Sequence, residues 1–187
     1  MSRLPKATRE DFPDDIKYVW DKLVRDPIAG GGEAMGNIFL AMGNNPRVLL
    51  AYLRMSNPLW AHYGLDVRTR ELIILRCAIL RHSVYEWHQH VRIGRQAGLR
   101  DAEINALHHW HKSDLFTEQE KAILAYTDAL AETDHPSQVV YDGVASHLPP
   151  ATIVGITLLA AFYFLTAKFL GAMEVEPESP FVGWELG

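Results

Sequence analysis

The chain has 187 residues, of which 48% are hydrophobic and 22% are charged, a balance typical of one soluble globular domain. Its net charge of −5 and the lack of a basic cluster argue against nucleic-acid binding. The single cysteine, Cys77, excludes an intramolecular disulfide and a metal site made of cysteines alone, and it fits a reducing compartment.

The N-terminal part, residues 1–45, is predicted to be a helical extension. Its first fifteen residues lack the apolar core of a signal peptide, so we expect a cytoplasmic protein. Ile16–Val24 has the pattern of a short amphipathic helix. A loop follows at 26–32, because a proline and three glycines do not hold regular structure. Glu33–Met42 then regains helical apolar spacing.

Turn and cap signals divide the middle of the chain. Pro46 suits the first turn of a helix. Asp66 is a good N-cap, and Gly98 is a good left-handed helix stop. These signals predict helices at Arg47–Met55, Asn57–His62, Val67–Arg81, Val84–Gln96 and Asp101–His109.

The last third of the chain also has only helical patterns. A capping box at Thr117–Glu120 precedes an apolar-periodic helix at Ile123–Leu130, and Gln138–His147 is predicted as another helix. Ala151–Ala167 carries no charge, but it is short for a membrane span, so we predict a core or interface helix. The tail, 174–187, is expected to be extended. Because no strand-period alternation persists, the fold class is predicted to be all-α and single-domain.

Glu71 is the first residue that suggests chemistry. Helical geometry places it on a face with Ile74, Leu75 and Ala78. A carboxylate on an apolar face must be paired or its pKa is raised, and a raised pKa suits a general acid. The alternative is a buried ion pair with an arginine, and the pattern leaves both interpretations open. The arginines near it in sequence are Arg68, Arg70, Arg76, Arg81 and Arg92.

Glu86 and His90 are the second candidate pair. They lie four residues apart and therefore share one face of a helix. They could form a proton relay in which the carboxylate orients the imidazole, or a structural polar pair that joins two helices. The histidines offer no recognised metal-ligand spacing, so no metal site is predicted. A thiol without a resolving partner also makes Cys77 a weak redox candidate.

Four short motifs in residues 68–107 resemble the carboxymuconolactone decarboxylase family, which also contains the alkylhydroperoxidase adaptor proteins. They are Arg70-Glu71-Leu72, Tyr85-Glu86-Trp87-x-x-His90, Ala97-Gly98-Leu99 and Glu103-Ile104. The resemblance implies an all-helical, alkylhydroperoxidase-like fold with a central helical hairpin, covering 46–173. It also implies a homo-oligomer, a trimer or hexamer in most cases and a dimer in others.

The redox branch of that family has a Glu, a Cys-x-x-Cys twelve residues later, and a His four residues after the second Cys. In this chain the Glu falls on Glu71 and the His falls on His90, but Ser83 and Glu86 occupy the two cysteine positions. Disulfide exchange needs two sulfur atoms, so alkylhydroperoxidase or peroxiredoxin-type activity is disfavoured.

The remaining residues resemble the decarboxylase branch, which acts without a cofactor. We therefore predict an acid–base lyase for a small carboxylated, lactone-like metabolite, with Glu71, Glu86 and His90 as catalytic residues. In this prediction Glu86 orients His90 or acts as its partner acid or base. Ser83, Tyr85, Arg81 and Arg92 are predicted to bind substrate, and Trp60, His62 and Tyr63 to wall the pocket. A non-catalytic binding protein is the alternative from a different class.

Overall fold

The computed structural model describes residues 2–25, 35–61 and 64–187, and within these ranges the regular structure is entirely helical. This confirms the predicted all-α class. The α-helices are α1 (Lys17–Arg25), α2 (Asn37–Met42), α3 (Pro46–Ala61), α4 (Val67–Arg81), α5 (Val84–Gln96), α6 (Asp101–Ala106), α7 (Glu118–Glu132), α8 (Gln138–Ala145) and α9 (Pro150–Ala172).

Helices α4 and α5 form the central hairpin, and their ends lie where the sequence predicts. Asp66 caps α4 by accepting a hydrogen bond of 2.9 Å from the Thr69 backbone N–H. The helix ends at His82, which adopts the left-handed conformation with φ 49°. The Ser83 N–H then donates to the Ala78 carbonyl oxygen at 2.9 Å, which closes the turn and starts α5. Gly98, with φ 90°, follows the end of α5.

Helix α4 is the centre of the fold, packed against α5, α7 and α9. Most of it is buried, because nearly every side has another helix against it. Within the described residues, α9 is long and apolar enough to cross a membrane, because its most apolar stretch of 18 residues has a mean hydropathy of 2.0. However, 56% of that stretch is buried inside the protein. It therefore packs as a core helix on α4.

The N-terminal region and the tail pack on the two sides of the hairpin. Phe12, Val19 and Leu23 from the N-terminal region join a buried cluster that includes Tyr85 and Leu170. On the other side, tail aromatic residues cover the fully buried Trp87, whose indole N–H donates to the Gly183 carbonyl oxygen at 2.7 Å. Both segments thereby fix the position of α5.

Three predicted boundaries are wrong. The two short helices predicted around Asn57 are one helix, α3: Pro58 lies inside it, three residues before its end, and removes one helical hydrogen bond without breaking the helix. The helix predicted from Asp101 to His109 ends at Ala106 and continues as a 3₁₀ segment, Leu107–Lys112. Helix α2 begins only at Asn37, and the predicted 26–32 loop lies outside the described residues.

Candidate active site

A buried carboxylate–imidazole pair joins α4 to α5. Glu71 is 0% exposed, and its Oε2 lies 2.7 Å from His90 Nδ1. The other carboxylate oxygen, Oε1, accepts a hydrogen bond of 2.8 Å from Arg70 Nε. An ionised carboxylate only accepts hydrogen bonds, so the His90 proton belongs on Nδ1. The Nε2 atom of a neutral His90 is then left with a lone pair.

Aromatic groups hold this pair in place. The Arg70 guanidinium stacks 4.1 Å from the centre of the Trp60 ring. The Trp60 indole N–H donates to the Tyr163 hydroxyl at 3.0 Å. Tyr163 in turn presents an edge-on contact to His90, with ring centres 5.1 Å apart. Burial raises the pKa of Tyr163 well above its usual value, so this phenol stays neutral. The His90 ring is therefore fixed on several sides.

Glu86 differs from Glu71 because neither of its oxygens has a hydrogen-bond partner among the described residues. Its side chain is buried, with the residue only 2% exposed. Burial raises the pKa of Glu86 to about 8, although the nearby Ser83 hydroxyl acts in the opposite direction without making a well-aligned hydrogen bond. Glu86 is consequently a neutral carboxylic acid at pH 7, with a proton that it can donate.

Glu86 and His90 both line a cavity of about 300 Å³, at the lower end of the range for small-molecule sites. Helices α1, α2, α3, α5 and α9 all contribute to its walls. The lining is rich in aromatic side chains: Tyr18, Phe39, Tyr52, Trp60, Tyr85, Phe162 and Tyr163. A ligand in this cavity would meet a mostly apolar surface with one carboxylic acid, one imidazole and a few other polar or charged side chains.

The structure changes the role that the sequence predicted for Glu86. The i, i+4 spacing suggested that Glu86 orients His90, but Glu71 on the neighbouring helix makes that hydrogen bond. Helical spacing could not reveal this contact, since it depends on how α4 packs against α5. Glu71 also forms the buried ion pair that was the alternative interpretation of its sequence position, and Arg70 is its partner.

The other predicted site residues lie in different places. Tyr85 lines the cavity, but its hydroxyl donates to Glu178 of the tail at 2.6 Å. Ser83 is buried and is not among the residues that line the cavity. Arg81 is exposed and donates to the Ala131 carbonyl oxygen at 3.0 Å, away from the cavity. Arg92 also lies outside the lining.

Sequence reasoning missed several cavity residues from distant segments. Trp60 does line the cavity as predicted, whereas His62 and Tyr63 lie outside the described residues. Helix α9 supplies Phe162 and Tyr163, which the sequence indicated only as parts of an apolar helix. The remaining additions come from α1, α2, α3 and α5. Nothing in their local patterns indicates a ligand site.

Cys77 and the histidines outside α5 take no part in this site. Cys77 is fully buried with its thiol 4.0 Å from the Ala160 carbonyl oxygen, and burial raises its pKa well above the usual value. His108 packs on Trp87 and lies 3.0 Å from the Trp184 carbonyl oxygen. Over the described ranges, no group of three or more His, Cys, Asp or Glu residues is arranged to hold a metal ion.

Comparisons with known proteins agree with this fold. Residues 46–129 match the model of the carboxymuconolactone decarboxylase family. Comparison with curated proteins gives no significant match.

Several solved structures have the same architecture. A peroxidase-related protein from Ralstonia eutropha with an alkylhydroperoxidase AhpD core superposes with a TM-score of 0.83 at 18% identity, over 99% of this chain and 97% of that one. A peroxidase-related protein from Silicibacter gives 0.78 at 18% identity, over 96% and 92%. The debrominase Bmp8, in a cysteine-to-alanine form with 2,3,4-tribromopyrrole, gives 0.76 at 17% identity, over 94% and 91%. At these identities the similarity establishes the fold.

Proposed function

Because residues 46–129 match the model of the carboxymuconolactone decarboxylase family, we propose that the chain is a cofactor-independent acid–base enzyme for a small carboxylated, lactone-like metabolite. The observation that supports it best is the neutral, unpartnered Glu86 carboxyl, which lines the same cavity as His90. A buried acid without a partner costs stability, and such costs are typical of functional sites.

Glu86 and His90 provide the two kinds of group that proton transfer requires. Burial keeps Glu86 protonated at neutral pH, and Glu71 holds His90 with its Nε2 atom available. When two titratable groups in one site have such different environments, one can act as the acid and the other as the base. In our proposal Glu86 is the proton donor and His90 relays the replacement proton, while Glu71 is a positioning residue.

The reaction that fits these groups is a vinylogous decarboxylation. The bond between the ring and its carboxylate breaks, CO₂ leaves, and the electron pair moves into the conjugated system of the lactone. Glu86 gives its proton to the carbon that receives this pair. Solvent supplies the replacement proton, so one proton is consumed in each turnover.

Thiol-dependent chemistry has less support in this chain. The relatives named for peroxidase or debrominase activity share its fold, but here Ser83 and Glu86 stand at the cysteine positions of the redox branch. Cys77 lies outside the cavity lining and its thiol is held protonated by burial. A non-catalytic binding protein stays as the second candidate, because the cavity alone would also serve binding.

The direct test compares turnover of carboxylated lactones by the wild type, Glu86→Gln and His90→Asn. We expect each variant to lose about 10²- to 10⁴-fold in kcat, because each loses one proton-transfer group. Glu118→Gln, the same change at an exposed position on α7, is the control and keeps full activity. In D₂O the product carbon acquires deuterium, and the wild-type rate falls as pH rises through about 8.

Two results would contradict the proposal. One is full activity of Glu86→Gln, which would place the acid elsewhere. The other is tight binding of these lactones by pure wild type without any CO₂ release, which would favour the binding protein.

A further inference from the structure

Two cationic side chains from different helices line the cavity. Lys22 belongs to α1 and Arg54 belongs to α3. Neither makes an ion pair or side-chain hydrogen bond with another described residue. By contrast, Arg68, Arg76 and Arg95 each bind one or more carboxylates. Lys22 and Arg54 are therefore available to a ligand.

The two ends of the cavity differ in exposure. Lys22 and Arg54 are both exposed, so their charged ends stay in contact with solvent. Glu86 and His90 are only 2% and 6% exposed. Aromatic side chains such as Tyr52 and Phe162 line the same cavity. The cavity is thus cationic at its mouth, and its acid and imidazole are buried.

The charge of the cavity is opposite to that of the chain. Among the described lining residues, Glu86 is the only carboxyl group, and it is uncharged below about pH 8. The lining is therefore positive at neutral pH, although the chain carries a net charge of −5. A positive cleft with apolar walls concentrates anions and disfavours cations. Its volume of about 300 Å³ suits a body no larger than one or two rings.

We propose that Lys22 and Arg54 form the binding site for the carboxylate of a small, ring-containing anion whose apolar body extends toward Glu86 and His90. This role replaces the one that the sequence suggested for Arg81 and Arg92. It deepens the proposed function and rests on it only for the reaction, because binding is measured without turnover. Lys22 lies before residue 46, so part of the substrate selectivity resides outside the segment that matches the family.

The test is calorimetric titration of the full chain with benzoate, phenylacetate and cinnamate, each paired with its neutral primary amide. We expect at least one carboxylate to bind tenfold or more tightly than its amide. Lys22→Met and Arg54→Met should each weaken carboxylate binding about three- to tenfold, and the double variant should abolish the preference. Amide binding should stay constant, and added salt should weaken only carboxylate binding.

Arg25→Met and Arg81→Met are the matched controls, because each removes an exposed cation outside the cavity lining. Both should bind like the wild type. The inference is wrong if no carboxylate binds more tightly than its amide, or if the double variant retains the preference.

The two proposals fail in different ways. Selective carboxylate binding without turnover of any lactone would contradict the proposed function and support the anion site. Turnover of a lactone with a KM that Lys22→Met and Arg54→Met leave unchanged would support the proposed function and contradict the anion site.

Discussion

Glu86 determines the chemical character of the cavity, because its proton remains bound near neutral pH. Two carboxylates on adjacent helices have opposite environments: Glu71 is held by Arg70 and His90, whereas Glu86 has no partner among the described residues. The first is fixed as a hydrogen-bond acceptor, and the second becomes a donor.

The raised pKa of Glu86 predicts how stability depends on pH. Between about pH 4.5 and 8 the folded chain binds a proton at Glu86 that the unfolded chain releases. The free energy of unfolding therefore falls as pH rises through this window. Glu86→Gln has no carboxyl group to ionise, so its free energy of unfolding does not fall in this window. Above pH 8 the variant should therefore be more stable than the wild type, by at most about 5 kcal/mol. Near pH 4 the two should differ little. Urea unfolding across this range measures the difference.

Glu103→Gln is the matched control, and its expected effect on the free energy of unfolding is opposite to that of Glu86→Gln. Burial alone would raise the pKa of Glu103, but hydrogen bonds from Arg100 and Arg68 outweigh it and lower the pKa to about 2. Its contribution to stability is present above about pH 4.5 and is lost as pH falls toward 2. This variant should therefore be less stable than the wild type at pH 7. A Glu86→Gln curve parallel to that of the wild type would contradict the raised pKa.

At the scale of elements, the hairpin could be predicted but the cavity could not. The cap at Asp66, the break at 82–83 and the stop at Gly98 are local signals, and each lies where the sequence predicts it. The walls of the cavity come from α1, α3 and α9, which are distant in sequence. Their meeting depends on tertiary packing, and no local pattern encodes it. For the same reason the chemistry-bearing residues were identifiable, but the contact between Glu71 and His90 was not.

The tail should stabilise the outer side of α5. Trp184 packs on Trp87 with ring centres 5.5 Å apart, and its backbone carbonyl contacts His108. Trp184→Ala should reduce the free energy of unfolding by about 2 kcal/mol, less than for a fully buried tryptophan. Val182→Ala, at an exposed tail position, should change it by less than about 0.5 kcal/mol. Equal effects of the two substitutions would mean that the tail does not support the hairpin.

At the scale of the whole molecule, α9 has one side that nothing in the described chain covers. Its exposed residues recur at alternating steps of three and four: Ala151, Val154, Leu158, Ala161 and Leu165. This spacing is that of the a and d positions of a coiled coil, and Lys168 is the charge that follows it. The family resemblance implies a homo-oligomer. We propose that this stripe of α9 is where copies of the chain meet.

Leu158→Glu and Leu165→Glu should each reduce the assembly to a smaller species, because each places a charge in the stripe. Val139→Glu is the control, since Val139 is 81% exposed on α8 and lies outside the stripe. Sedimentation velocity measures the mass of each variant. An unchanged mass for both stripe variants, or a monomeric wild type, would contradict this interface.

The central claim is that Glu86 is a protonated acid inside the cavity at neutral pH. It is tested most directly by infrared titration of the carboxyl stretching band, with Glu86→Gln used to assign the band to this residue. We predict a neutral carboxyl at pH 7 that ionises with a midpoint at about pH 8. A midpoint near the ordinary value of 4.5 would contradict the claim and remove the proton donor from the proposed reaction.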